Sequence, residues 1–147
     1  MAILGIDYGA KKIGLAKSDE DNKLALPLDI LFVNSQEEIL EGLREIISGH
    51  NIEKIVVGVP VSLQNGVKRT FWRQKDLQNK QMKEVLGFIN WLKNNIELPV
   101  EIEDERLSTK MANGLRKDLV KKGPDDAVAA MLILQGYLDK TKWELGS

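Results

Sequence analysis

The sequence predicts an α/β fold in which a mixed five-stranded sheet has helices on both of its faces. Two observations lead to this prediction. Three mostly apolar segments at the start of the chain are separated by short polar turns, a pattern typical of a three-stranded antiparallel meander. Two further apolar strands then alternate with helical segments, a pattern typical of parallel strands joined by helical crossovers. We expect residues 1–147 to form a single domain, whose last residues, 143–147, form a tail.

The meander and the first helix occupy the first third of the chain. The polar turn from Asp19 to Asn22 separates the second and third strands. Ser35 and Glu38 are spaced as in a capping box, which predicts that a helix begins after Ser35. Apolar residues at helical spacing then predict one buried helix face, made of Ile39, Leu40, Leu43, Ile46 and Ile47. The three predicted strands span residues 2–6, 13–17 and 25–33.

The rest of the chain supplies the parallel part of the sheet. The segment 54–59 is almost entirely apolar, which is typical of a strand covered on both faces, and Pro60 ends it. We then predict a helix over about 69–94, a strand over 100–103, and helices that begin near Ser108 and Pro124. Helical crossovers would make the first, fourth and fifth strands parallel neighbours. Their carboxyl ends would share one edge, where open sheets place functional sites.

Acidic residues stand at three places along this predicted edge. Asp7 ends the first strand, just before a glycine-rich turn that opens with Gly9. Glu105 follows the fifth strand, and Asp126 lies in the first turn of the last helix. Three such carboxylates can hold one or two Mg²⁺ or Mn²⁺ ions, which activate water and stabilise the leaving oxygen in phosphodiester cleavage. The pattern therefore indicates a metal-dependent site at this edge.

Two pairs of adjacent acids leave the set of metal ligands open. Alternation groups Asp104 with Val100 on one face of the fifth strand, so Glu105 faces the other way if the strand stays regular. Asp125 precedes Asp126 in the same manner, and either residue could simply be a favourable charge at a helix N-terminus. The residues alone do not choose between the members of each pair.

The composition limits the types of metal site and catalytic group that the chain can form, and it indicates the cellular compartment. The chain has no cysteine and one histidine, His50, which argues against cysteine-ligated zinc and against a histidine-based triad. A site built from oxygen ligands favours Mg²⁺ or Mn²⁺. No apolar run approaches the roughly 20 residues of a membrane span, and the N-terminal segment lacks the basic start of a signal peptide. We therefore expect a cytoplasmic protein without a membrane partner.

Positive charge is concentrated in two segments, although the net charge is only −1. Six lysines and arginines lie between residues 66 and 83, and six more lie between 106 and 122. Acidic residues predominate between 19 and 53. Such separation can create a surface that follows a phosphate backbone, although solvated helix faces look the same in sequence.

Four motifs, taken in order along the chain, resemble those of the YqgF/RuvX family: Asp7-x-Gly9-x-x-Lys12-Ile13-Gly14-x-Ala16, Val57-Gly58-Val59-Pro60, Asp104-Glu105-Arg106-Leu107-Ser108-Thr109 and Asp126-x-x-x-Ala130. That family has the RNase H-like fold and is related to the RuvC Holliday junction resolvases. The resemblance implies a nuclease that matures the 5′ end of pre-16S ribosomal RNA, with RNA precursors or ribosomal precursor particles as partners. The alternative is a resolvase of branched DNA, which is expected to act as a homodimer.

The resemblance also implies roles for individual residues. The catalytic acids, which would bind Mg²⁺ or Mn²⁺, are Asp7, Glu105 and Asp126. The residues that would contact nucleic acid are Lys12 and Arg106. We further expect such contacts from Lys11, next to Lys12, and from Arg69 in the first basic segment.

Two other functions are compatible with parts of the pattern. A phosphotransferase of the actin and sugar-kinase type also begins with Asp-x-Gly, but that architecture needs two such domains and 147 residues supply one. A non-catalytic nucleic-acid-binding module could keep the fold, but clustered carboxylates repel phosphates unless a metal neutralises them. We therefore expect a metal-dependent endonuclease.

Overall fold

The computed structural model describes residues 2–59, 72–104 and 125–144, and among these the side chains of 2–59, 80–103 and 127–140. The helix that we predict to begin near Ser108 lies outside these ranges. The elements in chain order are β1 (Ala2–Tyr8), β2 (Lys12–Ser18), β3 (Ala25–Phe32), α1 (Gln36–Gly49), β4 (Ile52–Val59), α2 (Trp72–Asn95), β5 (Val100–Asp104) and α3 (Asp125–Glu144). All five predicted strands are present, and α3 continues to Glu144, two residues into the segment expected to be a tail.

The five strands form one mixed sheet in the order β3-β2-β1-β4-β5. Strands β1, β2 and β3 pair antiparallel as a meander, whereas β1, β4 and β5 pair parallel. The predicted fold class is therefore confirmed. The carboxyl ends of the three parallel strands share one edge, which we call the carboxyl edge. It also contains the start of β2 and the end of β3, because these strands run in alternating directions.

The two faces of the sheet are covered by different helices. Helices α1 and α2 pack on one face, where Leu4 and Ile6 of β1 are completely buried. Helix α3 packs on the other face, where Ile3 of β1 and Val56 of β4 contact it. We call these the α1/α2 face and the α3 face. Full burial of an aliphatic side chain contributes about 1.5–3 kcal/mol, so these two apolar layers provide much of the stabilising free energy.

Local signals explain the first helix. The Ser35 hydroxyl accepts a hydrogen bond from the backbone N–H of Glu38 at 3.1 Å, which confirms the predicted cap. The first turn of α1 contains Glu37 and Glu38, whose negative charge is favourable at a helix N-terminus. Ile39 and Leu43 are the buried residues on its apolar face. None of the described helices is both long and apolar enough to cross a membrane.

Candidate functional site

Asp7 lies one residue before the end of β1, at the carboxyl edge, and its side chain is partly buried. It pairs with Gly14 of β2. On the other side Ile6 pairs with Val57, and the same register continued by one residue brings Gly58 of β4 beside Asp7. Because both neighbours are glycines, the positions directly opposite Asp7 on the two adjacent strands carry no side chain.

The α3 face of the sheet is the face on which Asp7 lies. Gly5, two residues earlier, contacts α3 so closely that an added Cβ atom would lie 2.8 Å from Cβ of Leu134 and 3.1 Å from the Ala130 carbonyl oxygen. Side chains alternate along a strand, so Asp7 shares the face of Gly5. Asp126 precedes Ala130 by one helical turn, about 6 Å. Asp7 is thus two residues from the contact between β1 and α3, and Asp126 is one helical turn from it.

Acidic side chains of β5 lie on the same face. Glu103 pairs with Gly58, so Asp7 and Glu103 flank this glycine from two strands that are roughly 10 Å apart. Glu103 is only 3% exposed, and its Oε2 atom lies 3.6 Å from Nζ of Lys140 in α3. Glu101 also contacts α3. The odd-numbered positions of β5 therefore face α3, on the same side as Asp7.

This register bears on the choice between Asp104 and Glu105. Val100, which alternation groups with Asp104, packs against the apolar cluster of the α1/α2 face, opposite to Asp7. Continued alternation beyond Glu103 therefore favours Glu105 as the acid on the face of Asp7. Glu105 itself lies outside the described residues, so its role stays a prediction.

The structure describes the predicted site residues to different extents. Lys11 and Lys12 are exposed at the carboxyl edge, immediately before or at the start of β2. The backbone alone is described for Asp104, Asp125 and Asp126. Three predicted residues lie outside the described ranges: Glu105, Arg106 and Arg69. Among the described residues no group of three or more His, Cys, Asp or Glu residues could hold a metal ion, so the metal-binding set stays a prediction.

An exposed aromatic residue that the sequence pattern did not predict as part of the site lies beside Lys12. Lys12 of β2 pairs with Phe32 of β3, and Nζ of Lys12 lies 5.8 Å from the centre of the Phe32 ring. Phe32 is 59% exposed. Leu31 packs against the α1/α2 cluster, so alternation places Phe32 on the α3 face. Alternation could have marked Phe32 as facing away from Leu31, but its pairing with Lys12 depends on the register of two strands.

A polar cluster of Lys54, Glu101 and Tyr137 joins α3 to β4 and β5. Nζ of Lys54 lies 3.0 Å from both the Tyr137 hydroxyl and Oε2 of Glu101, and the hydroxyl donates to the same Oε2 atom. The hydrogen bonds from Tyr137 and Lys54 hold the pKa of Glu101 below its usual value. The hydrogen bonds of Lys54 with Tyr137 and Glu101 raise the pKa of Lys54. Burial raises the pKa of Tyr137. This cluster was not predicted, because its members are distant in sequence.

The sheet order and the position of Asp7 define a class of protein. A five-stranded sheet of this topology, with an acid at the carboxyl end of its central strand and a helix packed over that face, is the RNase H-like fold of the RuvC resolvases. The solved structure of T. thermophilus RuvC in complex with a Holliday junction substrate matches 98% of this chain and 96% of its own, with a TM-score of 0.65 and 18% identity. At that identity the match shows the fold.

Sequence comparison identifies the family. Residues 1–140 match the family described as "RuvX: Holliday junction resolvase", and the chain belongs to this family. A Rickettsia typhi protein named "Putative pre-16S rRNA nuclease" is 37% identical over 95% of this chain and 86% of its own length. A protein of the same name from Orientia tsutsugamushi is 38% identical over 94% of this chain and 83% of its own.

These comparisons confirm the predicted family membership. Both names describe nucleases, so the chain belongs to a family of phosphodiester hydrolases that act on nucleic acid. The family assignment favours the nuclease interpretation over the phosphotransferase interpretation.

Proposed function

We propose that this protein is a metal-dependent endonuclease that cleaves an RNA precursor, with 5′-end maturation of pre-16S ribosomal RNA as its role. The main supporting observation is the position of Asp7. This acid lies one residue before the end of the central strand of the sheet, is on the α3 face, and has glycine on both neighbouring strands. Glycine at the directly paired positions leaves space beside this acid, which would allow a metal ion to bind there.

Asp7, Glu105 and Asp126 are the proposed metal ligands. Strand parity favours Glu105 for the face of Asp7, and Asp126 is one helical turn from the contact between α3 and β1. The donor set consists of carboxylate oxygens, which suits Mg²⁺ or Mn²⁺. The only histidine, His50, ends α1 with Nδ1 at 3.0 Å from Nζ of Lys17, near the opposite end of the sheet.

The bound metal would supply an activated water and stabilise the leaving oxygen of the phosphodiester. The protein's part is to hold the carboxylates in a fixed arrangement on strand and helix ends, which are rigid positions. Lys12, exposed at the carboxyl edge, would contact a phosphate and position the strand next to Asp7. Arg106, Lys11 and Arg69 are proposed to extend this contact.

The RNA substrate is preferred because the curated relatives that cover most of the chain are named for pre-16S rRNA cleavage. The family description instead names a Holliday junction resolvase, so cleavage of branched DNA is the second candidate. Symmetric cleavage of a junction needs two active sites, so that activity would also require a homodimer. Ribosomal precursor particles are the proposed partners of the RNA activity.

A side-by-side cleavage assay tests the proposal. The wild-type protein and Asp7→Asn are incubated with Mg²⁺ and three substrates: a precursor-rRNA fragment that spans the mature 5′ end, an unrelated single-stranded RNA and a four-way DNA junction. We expect Asp7-dependent cleavage of the precursor at one position. Preferred cleavage of the junction, together with a dimer in sedimentation analysis, would support the resolvase. Equal cleavage by wild-type protein and Asp7→Asn would reject the proposed site.

A further inference from the structure

We propose that Phe32 and Lys12 form a stacking platform for an unpaired nucleobase next to the cleavage site. This inference rests on the proposed nuclease function and specifies the substrate of that site as a locally single-stranded nucleic acid. The observation behind it is an exposed aromatic ring that is paired with a lysine at the same edge of the sheet as Asp7.

The aromatic side chain of Phe32 is mostly exposed to solvent, at the carboxyl edge of the sheet. It ends β3 with 59% of its surface exposed, and its cross-strand neighbour is the exposed Lys12. Nζ of Lys12 lies 5.8 Å from the ring centre, a distance at which the cation is attracted to the face of the ring. A cation beside an aromatic ring is the combination that binds a base and its phosphate together in single-stranded nucleic-acid sites.

The platform and Asp7 share one face and one edge of the sheet. Asp7 pairs with Gly14, and Gly14 pairs with Ile30, two residues before Phe32. Two strand spacings and two residues along the strand give roughly 12 Å between the Cα atoms of Asp7 and Phe32. A few nucleotides of an extended strand span that distance. Lys12 lies between the two positions, so one strand could contact Asp7, Lys12 and Phe32 in order.

The charge around the ring favours nucleic acid over a second copy of the chain. A protein interface over Phe32 would have to remove water from the ammonium groups of Lys11 and Lys12, which is costly without an acidic partner. The edge of β3 also resists pairing with another sheet, because Pro27 lacks an N–H group and the register shifts at this point of the strand. A phosphodiester strand supplies both the base for the ring and the negative charge for the lysines.

The platform predicts a preference for unpaired bases. A base within a duplex is already stacked on its neighbours and cannot present its face to a side chain, whereas an unpaired base can. The Phe32 contact should therefore contribute to binding of single strands and not of a continuous duplex. Lys12 should contribute to both, because phosphates are present in both.

Binding measurements in the Asp7→Asn background test this platform without cleavage. The probes are a single-stranded RNA oligonucleotide that contains 2-aminopurine and a duplex of the same sequence, each titrated across a salt series. We expect Phe32→Ala to weaken single-strand binding about tenfold, to leave the salt slope and duplex binding unchanged, and to abolish the stacking quench of 2-aminopurine. Phe32→Trp should retain binding. Lys12→Ala should reduce the salt slope by about one for both probes.

Two controls separate stacking from other roles of Phe32. Phe32→Leu keeps an apolar side chain without the aromatic face and should lose the quench while keeping the thermal stability of the parent. Leu24→Ala removes a comparably exposed apolar side chain, 58% exposed, from the turn at the opposite end of the sheet. It should leave the binding of both probes and the 2-aminopurine quench unchanged. Unchanged single-strand binding in Phe32→Ala, equal losses on both probes, or a shift of oligomeric state in Phe32→Ala would overturn the proposal. These binding readouts remain valid even if Asp7 proves not to be catalytic.

Discussion

Gly5 of β1 and Leu134 of α3 are in such close contact that a Cβ atom on Gly5 would lie 2.8 Å from Cβ of Leu134. Real side chains do not approach so closely, so any larger residue at this position must displace the helix or the strand. The contact lies two residues before Asp7 on the strand and two helical turns after Asp126 on the helix. The approach of α3 to β1 at Gly5 therefore determines how near the two acids can come.

We expect Gly5→Ala to lower the stability of the fold and the cleavage rate together. The added methyl group overpacks the contact with Leu134, which costs about 1–3 kcal/mol in free energy of unfolding. Urea unfolding and the precursor-cleavage assay measure the two effects. The matched control is Gly87→Ala in α2, where the added methyl group meets no atom within 4 Å and should stabilise the helix by up to about 1 kcal/mol. Equal stabilities of the two variants would contradict the close contact.

Replacement of Asp7 by asparagine should abolish cleavage and leave the fold intact. Asparagine keeps the shape of the side chain but removes the charge that a metal ion requires, so we expect a loss of at least about 100-fold in rate. Circular dichroism and single-turnover cleavage are the measurements. Asp21→Asn, in the exposed turn at the opposite end of the sheet, is the control and should keep full activity. A folded Asp7→Asn variant with normal activity would remove Asp7 from the mechanism.

The parity of β5 gives a prediction about its two terminal acids. Glu105→Gln should lower the cleavage rate by at least about 100-fold, because alternation beyond Glu103 favours the face of Asp7 for position 105. Asp104→Asn should stay within a few-fold of wild type. Both rates are measured under single-turnover conditions with saturating metal. The reverse order of effects would show that the strand does not continue its alternation past residue 104.

Divalent metal should be required, with a clear preference among ions. We expect activity with Mg²⁺ or Mn²⁺ and none with Ca²⁺, because Ca²⁺ takes more ligands at longer distances and does not organise an in-line attack as Mg²⁺ does. Cleavage is followed after dialysis against chelator and addition of each ion in turn. Ca²⁺ should compete with Mg²⁺ in a mixture. Undiminished activity in excess chelator would reject the metal mechanism.

The polar cluster should make stability depend on pH at the acid end. Its hydrogen bonds hold the pKa of Glu101 below the ordinary value of 4.5. The cluster's contribution is therefore present above pH 4.5 and is lost as pH falls through the lowered pKa of the folded state. Lys54 gives the opposite pH dependence. Because its pKa is raised, its contribution to stability is present below its ordinary pKa of 10.5 and is lost as pH rises through the raised pKa of the folded state.

Urea unfolding of wild type and Glu101→Gln from pH 3 to 7 measures the acid limb. The stability difference should be largest near neutral pH and should decrease as pH falls below 4.5. Glu53→Gln changes an exposed glutamate of β4 and should show no such dependence. A difference between wild type and Glu101→Gln that stays constant over this range would mean that the charge of Glu101 does not stabilise the fold.

Much of this architecture could be predicted from local patterns. The order of strands and helices follows from periodicity, and the cap at Ser35 follows from a hydrogen bond within one helical turn. Asp7 could be placed at the end of a central strand because a short apolar run followed by glycine is typical of a buried strand that leads into a tight turn. Such features depend on residues close in sequence, and their energetics hardly change with the rest of the fold.

The sequence by itself therefore determined the fold class, the family and the position of Asp7 near the end of the central strand. Only the tertiary structure decided that Asp7 and Glu103 share the α3 face, because that depends on where α3 crosses Gly5 and on the register of β4 and β5. The pairing of Lys12 with Phe32 was decided in the same way. Contacts of this kind join segments that are far apart in the chain. They depend on how each segment packs against the whole sheet, so local sequence patterns do not predict them.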